Sequence, residues 1–309
     1  MNYRHHYHAG NFADVMKHVL LLQLAQALQK KEKGFLYLDT HAGRGVYDLN
    51  AAATGDSLAR TPEWPDGIGR LWAAEDVPAG VAEYVGRVRE FDWQQGNREG
   101  MATSTRGGGT PPTGAGEKKW AVRPRYYPGS PMLVETLARP QDRVLLCERQ
   151  PAEAGALKEN FQFKPGVSIQ VMDGYGALRA MLPPPEKRAL VLIDPPFESQ
   201  DEWAQIVTAL KEGLRRFPSG VYAIWYPLTE RAKVDFFFAE LQALELPPTL
   251  AVELVINPAA AKMKGCGLAI VNPPWKFAEE AEATAKFLAQ ALAQGAGARG
   301  DVIWLVAER

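Results

Sequence analysis

The sequence predicts an α/β fold: a mostly parallel central sheet with a helical insertion after its first strand. Three observations carry that prediction. Four short, near-continuous apolar runs each end in an acid, as strands buried on both faces of a parallel sheet do. Segments with helical spacing alternate with strand-like runs over most of the chain. One break, between the first and second runs, is far longer than a crossover needs.

The elements follow in order. Ala13 to Gln29 sets Val15, Val19, Leu22 and Leu28 at helical spacing, with Asp14 near the start, where a carboxylate suits the helix dipole. Phe35 to Asp39 is the first strand, Val144 to Glu148 the second, Ser168 to Asp173 the third and Ala189 to Asp194 the fourth. Ser130 and Pro131 open a helix that runs to Ala138, Ser as cap and Pro in the first turn. Further helices are expected at Trp203–Phe217, Ala232–Leu244 and Ala278–Ala293, and further strands at Gly220–Tyr226, Thr249–Val255, Leu268–Asn272 and Val302–Val306. Between strands one and two, helical spacing around Ile68, Leu71, Trp72, Tyr84, Val85 and Val88 predicts an inserted helical subdomain over residues 50–95. Residues 96–124 contain Gly107-Gly108-Gly109-Thr110-Pro111-Pro112, a composition that cannot build a core, and are expected as a flexible loop. Residues 1–49 and 125–309 then share the main domain.

Composition narrows the function. The 309 residues suit about two domains, or one with a large insertion. Two distant cysteines, Cys147 and Cys266, make no disulfide framework, so a cytoplasmic protein is expected. No apolar run is long enough to span a bilayer, so no membrane association is expected. The formal charge of -1 excludes a uniformly basic nucleic-acid binder. It does not exclude a local basic face, because a phosphate backbone responds to the distribution of charge. Residues 1–33 carry a net +3 and residues 98–125 a net +4.

Three motifs carry chemistry. In Asp194-Pro195-Pro196-Phe197 the prolines force a rigid, non-helical exit from the fourth strand. Asp194 can accept a hydrogen bond from a planar amine, the Pro195 carbonyl a second, and the Phe197 ring can stack on the base that bears it. Asp39-Thr40-His41-Ala42-Gly43-Arg44-Gly45 is a glycine-rich first turn that lets a ligand approach the backbone. It lacks the full dinucleotide fingerprint, and no phosphate-loop Gly-Lys-Ser/Thr follows, which argues against ATP or GTP. Finally, Glu148 is placed to take the two hydroxyls of a ribose, and Asp173 with Gly174 to lie beside an adenine amine. Acids at the ends of four parallel strands converge on one sheet edge.

Two patterns compete for attention. Asn272-Pro273-Pro274-Trp275 also fits the Asp/Asn-Pro-Pro-aromatic pattern, but it ends a late strand and is expected to be structural. All five histidines, His5, His6, His8, His18 and His41, lie near the amino terminus, yet their spacing matches no zinc signature, and no metal is expected. Trp225 and Tyr226 read as core. Tyr3, Tyr7, Tyr126 and Tyr127 are the better candidates for stacking on bases.

Taken together these motifs resemble the class I S-adenosylmethionine-dependent methyltransferases of exocyclic amines, a Rossmann-like fold. More narrowly, four blocks resemble the bacterial 23S ribosomal RNA adenine-N6 methyltransferase family RlmJ: Tyr3 to His18, Tyr37 to Gly43, Tyr126 to Pro131, and Ile224 to Pro227. The resemblance implies S-adenosylmethionine as cofactor and 23S ribosomal RNA as partner. It implies that Lys17 and His18 hold the cofactor, with Lys17 paired to its methionyl carboxylate. His41, Ser130, Glu148, Asp173 and Gly174 would line the same pocket. Asp194 would be the catalytic acid and also border the cofactor, with Pro195 and Phe197 completing the catalytic motif. Relatives usually carry Tyr at the Phe197 position, so stacking is kept and a hydroxyl lost. Tyr3, Arg4, His5 and His6, together with Phe197, are the expected substrate contacts. The Gly/Thr/Pro tract is an extra piece that the family does not explain.

The expected function is therefore methyl transfer to the N6 amine of an adenine in 23S ribosomal RNA, by a monomer. The target base has to leave its stack to reach such a pocket. Methylation of DNA adenine or of protein glutamine uses the same tetrapeptide and is the nearest alternative. A non-catalytic RNA-binding protein on this scaffold is a third reading, and intact acids at all four strand ends argue against it.

Overall fold

The computed structural model describes residues 7–51, 61–97 and 121–308. In chain order its elements are α1 (Phe12–Gln29), β1 (Leu36–Asp39), β2 (Val46–Asp48), α2 (Ile68–Leu71), α3 (Ala79–Gln94), β3 (Tyr126–Pro128), α4 (Ser130–Glu135) and β4 (Arg143–Cys147). There follow α5 (Pro151–Asn160), β5 (Val167–Gln170), α6 (Gly174–Met181), β6 (Ala189–Ile193), α7 (Glu202–Arg216) and β7 (Val221–Leu228). The chain ends with α8 (Arg231–Gln242), β8 (Thr249–Val255), β9 (Gly265–Val271), α9 (Phe277–Ala291) and β10 (Arg299–Val306).

Eight strands form one sheet in the order β10-β8-β9-β7-β6-β1-β4-β5. β5, β4, β1, β6 and β7 are mutually parallel, and β9 and β10 run against their neighbours. The apolar runs are continuous because alternate residues face different cores. On β6, Leu190 and Leu192 enter one core while Ala189, Val191 and Ile193 enter the other. The first core lies under α1, α3, α4 and α9, the second under α6, α7 and α8. β5 departs from the expectation of strands buried on both faces: it is the sheet edge, it is only half-buried, and Val171 beyond it is exposed.

The stretch expected as an inserted subdomain leaves and re-enters through a small ribbon, β2 against β3, with Asp48 paired to Tyr126. Three-residue strands carry no periodicity that a sequence reading could detect. Within the insertion, α3 sends Val81, Tyr84, Val85 and Val88 into the same core as α1. The helix that opens at Ser130 ends at Glu135, shorter than expected, and packs on α1. Residues 98–120, most of the expected flexible loop, lie outside the described residues, as do Tyr3, Arg4, His5 and His6.

The start of α1 follows from its sequence. Gly10 has φ +75, a conformation that suits glycine. Asn11 then caps the helix, its side chain accepting from the amides of Ala13 and Asp14. Asp14 accepts from the Gly10 amide at 3.0 Å, locking the turn. The helix is buried almost all round, which explains Leu20, Leu21, Leu22 and Leu24 in unbroken company. No helix of the described residues is long and apolar enough to cross a membrane.

Candidate active site

The strand order reverses beside β1: the chain turns outward to β4 and β5 on one side and to β6 and β7 on the other. A crevice opens at such a point, beyond the carboxyl ends of the strands. Here it is a cavity of about 1090 Å³. Every predicted site residue among those described lines it: Lys17 and His18 from α1, His41 after β1, Ser130 at the start of α4, Glu148 after β4, Asp173 and Gly174 at the start of α6, and Asp194, Pro195 and Phe197 after β6.

The glycine-rich turn is built for close approach. Gly43 has φ +60, and its amide donates to Glu148 Oε2 at 2.9 Å. Gln150 N donates to Glu148 Oε1 at 2.7 Å, so both carboxylate oxygens are fixed. Burial pushes the Glu148 carboxyl up, and those amides oppose the shift. Asp173 caps α6 through the Gly176 amide at 2.9 Å. A Cβ on Gly174 would stand 1.9 Å from the Thr40 carbonyl oxygen, so this position admits only glycine. We therefore expect Gly174→Ala to force β1 and α6 apart, lowering both stability and cofactor affinity in calorimetry. An unchanged cofactor affinity would show that this junction does not shape the pocket.

Asp39 works from behind the wall. Fully buried, it accepts from Tyr37 Oη at 2.8 Å, Ser130 Oγ at 2.7 Å and the His41 amide at 3.2 Å. It thereby fixes two predicted pocket residues without lining the cavity. Sequence reading noted it as a strand end and gave it no role. Burial pushes its carboxyl up to about 6. A raised carboxyl contributes stability that is complete below its ordinary value and is lost as pH rises through about 6. His41 is the opposite case: burial pushes it down to about 4, against the pull of Asp194 and Asp173. Its contribution is complete above the ordinary histidine value and is lost as pH falls toward about 4. The two slopes oppose each other on acidification. Asp39→Asn removes one of them, so urea unfolding should show a steeper loss of stability between about pH 6 and pH 4 than in the wild type. An unaltered pH profile would refute this assignment.

Lys17 has protein partners that sequence reading did not foresee. Its ammonium lies 2.8 Å from Asp14 Oδ1 and 2.7 Å from Asp194 Oδ2, so it bridges two protein carboxylates. The Lys17 and Asp14 side chains are 6% and 3% exposed. Burial works against the charge, but the two carboxylates outweigh it and hold Lys17 well above the ordinary lysine value. Lys17 thus joins the helix start at Gly10–Asp14 to the Asp194-Pro195-Pro196-Phe197 motif 177 residues away. A lysine has three N–H donors, and these bonds use two of them.

His18 borders the cavity but is bound from the core: its Nδ1 lies 2.7 Å from Tyr127 Oη, which lies 2.9 Å from Tyr84 Oη. Tyr127 and Tyr7 are buried, which corrects their reading as base-stacking residues. Tyr126 is half-buried under Arg125. Tyr3 lies outside the described residues.

Phe197 has φ +50, a left-handed conformation that is strained for a bulky side chain, by about 1–3 kcal/mol. Two proline rings before it leave the chain little choice. The ring is held edge-on between Trp203, at 4.9 Å, and Trp225, at 5.6 Å. Trp225 was expected in the core; it is half-buried and lines the cavity. Its position in a strand hid this, because a strand residue near the carboxyl end can face the site as easily as the core.

The second Pro-Pro motif is settled by strand direction. β9 runs antiparallel to β7, with Val271 opposite Tyr222, so Asn272 emerges at the amino-terminal edge of the parallel strands. There its amide donates to the carbonyls of Pro218 and Gly220, both at 2.8 Å, and Trp275 is 77% exposed. It is a strand exit on the wrong side of the sheet for the cavity.

A family model described as "Ribosomal RNA large subunit methyltransferase D, RlmJ" matches residues 32–103 and 119–306. The chain belongs to this family. Ribosomal RNA large subunit methyltransferase J of Haemophilus influenzae is 35% identical over the full length of both chains, and that of Escherichia coli K12 is 34% identical, again over both full lengths. A crystal structure of a Legionella pneumophila protein shares the fold with TM-score 0.79 and 32% identity, covering 96% of this chain and 97% of that one. The RlmJ family match has a gap at residues 104–118, which contain the Gly/Thr/Pro tract. The sheet has the Rossmann-like arrangement, parallel strands to either side of a switch point at β1, with the helical segment after β1.

Proposed function

We propose that this chain transfers a methyl group from S-adenosylmethionine to the exocyclic N6 amine of an adenine in 23S ribosomal RNA. The observation that carries this reading is Asp194, at the carboxyl end of β6 beside the switch point, followed by Pro195, Pro196 and the constrained Phe197 ring. The names of the two full-length relatives favour large-subunit ribosomal RNA over DNA or protein as substrate.

The residues fit the cofactor. Glu148, its two oxygens oriented by backbone amides, suits a ribose diol. Gly43 presents backbone at positive φ in the cavity wall, as close approach of a ligand requires, and Gly174 lets the start of α6 pack directly on Thr40 beside it. S-adenosylmethionine supplies an electrophilic methyl group on a sulfonium. The chain supplies orientation and charge. Asp194 accepts a hydrogen bond from the target amine, whose lone pair is otherwise delocalised into the ring. The Pro195 carbonyl accepts the second N–H. Together they draw the amine toward tetrahedral geometry and stabilise the positive charge that develops on it. Phe197 stacks on the adenine, which has left its helix. Lys17 holds Asp194 Oδ2 at 2.7 Å and fixes the carboxylate's orientation. We read residues 1–49 and the inserted segment 50–95 as the RNA-facing parts of the molecule.

The test is transfer of labelled methyl to unmodified 23S rRNA, 16S rRNA, DNA and total protein, with nucleoside analysis of the product. Label in N6-methyladenosine of 23S rRNA is expected. Label confined to DNA or protein would overturn the substrate, and no label with any of them would overturn the activity.

A further inference from the structure

The charge around the cavity is mostly negative. Carboxylates dominate the lining, from Asp14, Glu63 and Asp66 through Glu148, Glu153 and Asp173 to Asp194 and Glu202. From Trp225 to the carboxyl end of the described chain the lining holds one charged side chain, Lys262. Its neighbours there are Pro227, Thr229, Ile256 and Met263.

Lys262 sits on the turn between β8 and β9. The turn is fixed at its base: the amides of Ile256 and Asn257 donate to the Lys264 carbonyl at 3.0 and 3.2 Å, and Lys264 N donates to the Leu228 carbonyl at 2.8 Å. Gln294 N ties the other flank to the Ile256 carbonyl at 2.9 Å. Met263 packs against the core beneath α1. Lys262 itself is exposed and makes no ion pair or hydrogen bond among the described residues. By contrast, Lys17 is taken by two carboxylates, and Arg44 by Glu153 at 2.7 and 2.8 Å. Arg149 also lines the cavity, where it follows Glu148.

A polyanion approaching this mouth meets lining carboxylates that repel it and, on the β8–β9 turn, a cation that no carboxylate of the described residues has taken. The geometry points to Lys262 as a substrate-positioning residue that holds a backbone phosphate of the RNA strand beside the target nucleotide, with the apolar rim under the adjoining sugar. This rests on the RNA reading of the site. A lysine acts on phosphate as a point charge, so it sets affinity and register without reading sequence.

The experiment is filter binding of unmodified 23S rRNA transcript by the full-length wild type, Lys262→Gln, Lys262→Arg and, as a control for charge, Lys211→Gln on the exposed face of α7. Lys262→Gln should bind about three- to tenfold more weakly at low salt, with a log K against log salt slope shallower by about 0.7–0.9. Lys262→Arg and Lys211→Gln should keep wild-type affinity and slope. Unchanged binding by Lys262→Gln, or an equal loss with Lys211→Gln, would overturn the inference. So would a raised KM for S-adenosylmethionine with normal RNA binding, since that would put Lys262 at the cofactor. Methyl transfer is measured on the same samples. Wild type that binds through Lys262 yet transfers no methyl rejects the proposed function alone; transfer with binding indifferent to Lys262 rejects this inference alone.

Discussion

Asp194→Ala should lower the turnover of methyl transfer to 23S rRNA by about 10²–10⁴-fold, with the fold intact. In the proposed reaction the carboxylate is the acceptor that meets developing charge on the amine, so its loss is expected in kcat more than in KM for either substrate. Stability should change little. Lys17 keeps its bond to Asp14 at 2.8 Å, and the Asp194 side chain is 17% exposed, so no buried charge is stranded. Asp194→Asn retains an acceptor oxygen but not the charge, and should fall between wild type and alanine. Single-turnover transfer measures the chemical step directly. A wild-type rate in Asp194→Ala would remove this residue from the mechanism.

Lys17→Met is the second large effect, and it differs in kind. Here a buried charge is stranded: Asp14 loses its cation while enclosed at the start of α1. Breaking one side of a buried pair costs about 3–5 kcal/mol. The variant should therefore unfold at much lower urea and also lose transfer, because Asp194 Oδ2 is no longer held. The double variant Lys17→Met, Asp14→Leu separates the two roles. It should recover much of the stability, since no charge is left unpaired there, and recover none of the transfer. Equal recovery of both would reduce Lys17 to a structural residue.

How much of this was legible in the sequence depended on range. β1, β4 and β6 announced themselves because strands buried on both faces leave apolar runs, and their terminal acids marked the functional edge. β5 had the same look but sits at the sheet edge, which a single strand cannot reveal. β2 and β3 are too short to carry a pattern. The pocket residues were recoverable one by one, since each follows a strand or opens a helix. Their mutual bonds were not. Nothing local in Asp14 or Lys17 points to Asp194, and only the packing of α1 across the strand ends brings them together. The rank of Asp194 over Asn272 rested on strand order; the structure supplies a firmer reason in strand direction.

The β2–β3 ribbon has a consequence for what this fold can tolerate. Because Asp48 and Tyr126 are partners in register, the chain departs and returns at one place, and its two legs are clamped at a fixed spacing. The entropic penalty for lengthening a closed excursion grows only logarithmically, by about 0.6 kcal/mol per doubling. The ribbon thus uncouples the excursion's length from the positions of Gly43 and Ser130 on either side of it. A tract such as Gly107–Pro112, in a stretch the family match passes over, is the kind of addition such a clamp lets a lineage accumulate, trim or elaborate while selection on the pocket stays fixed.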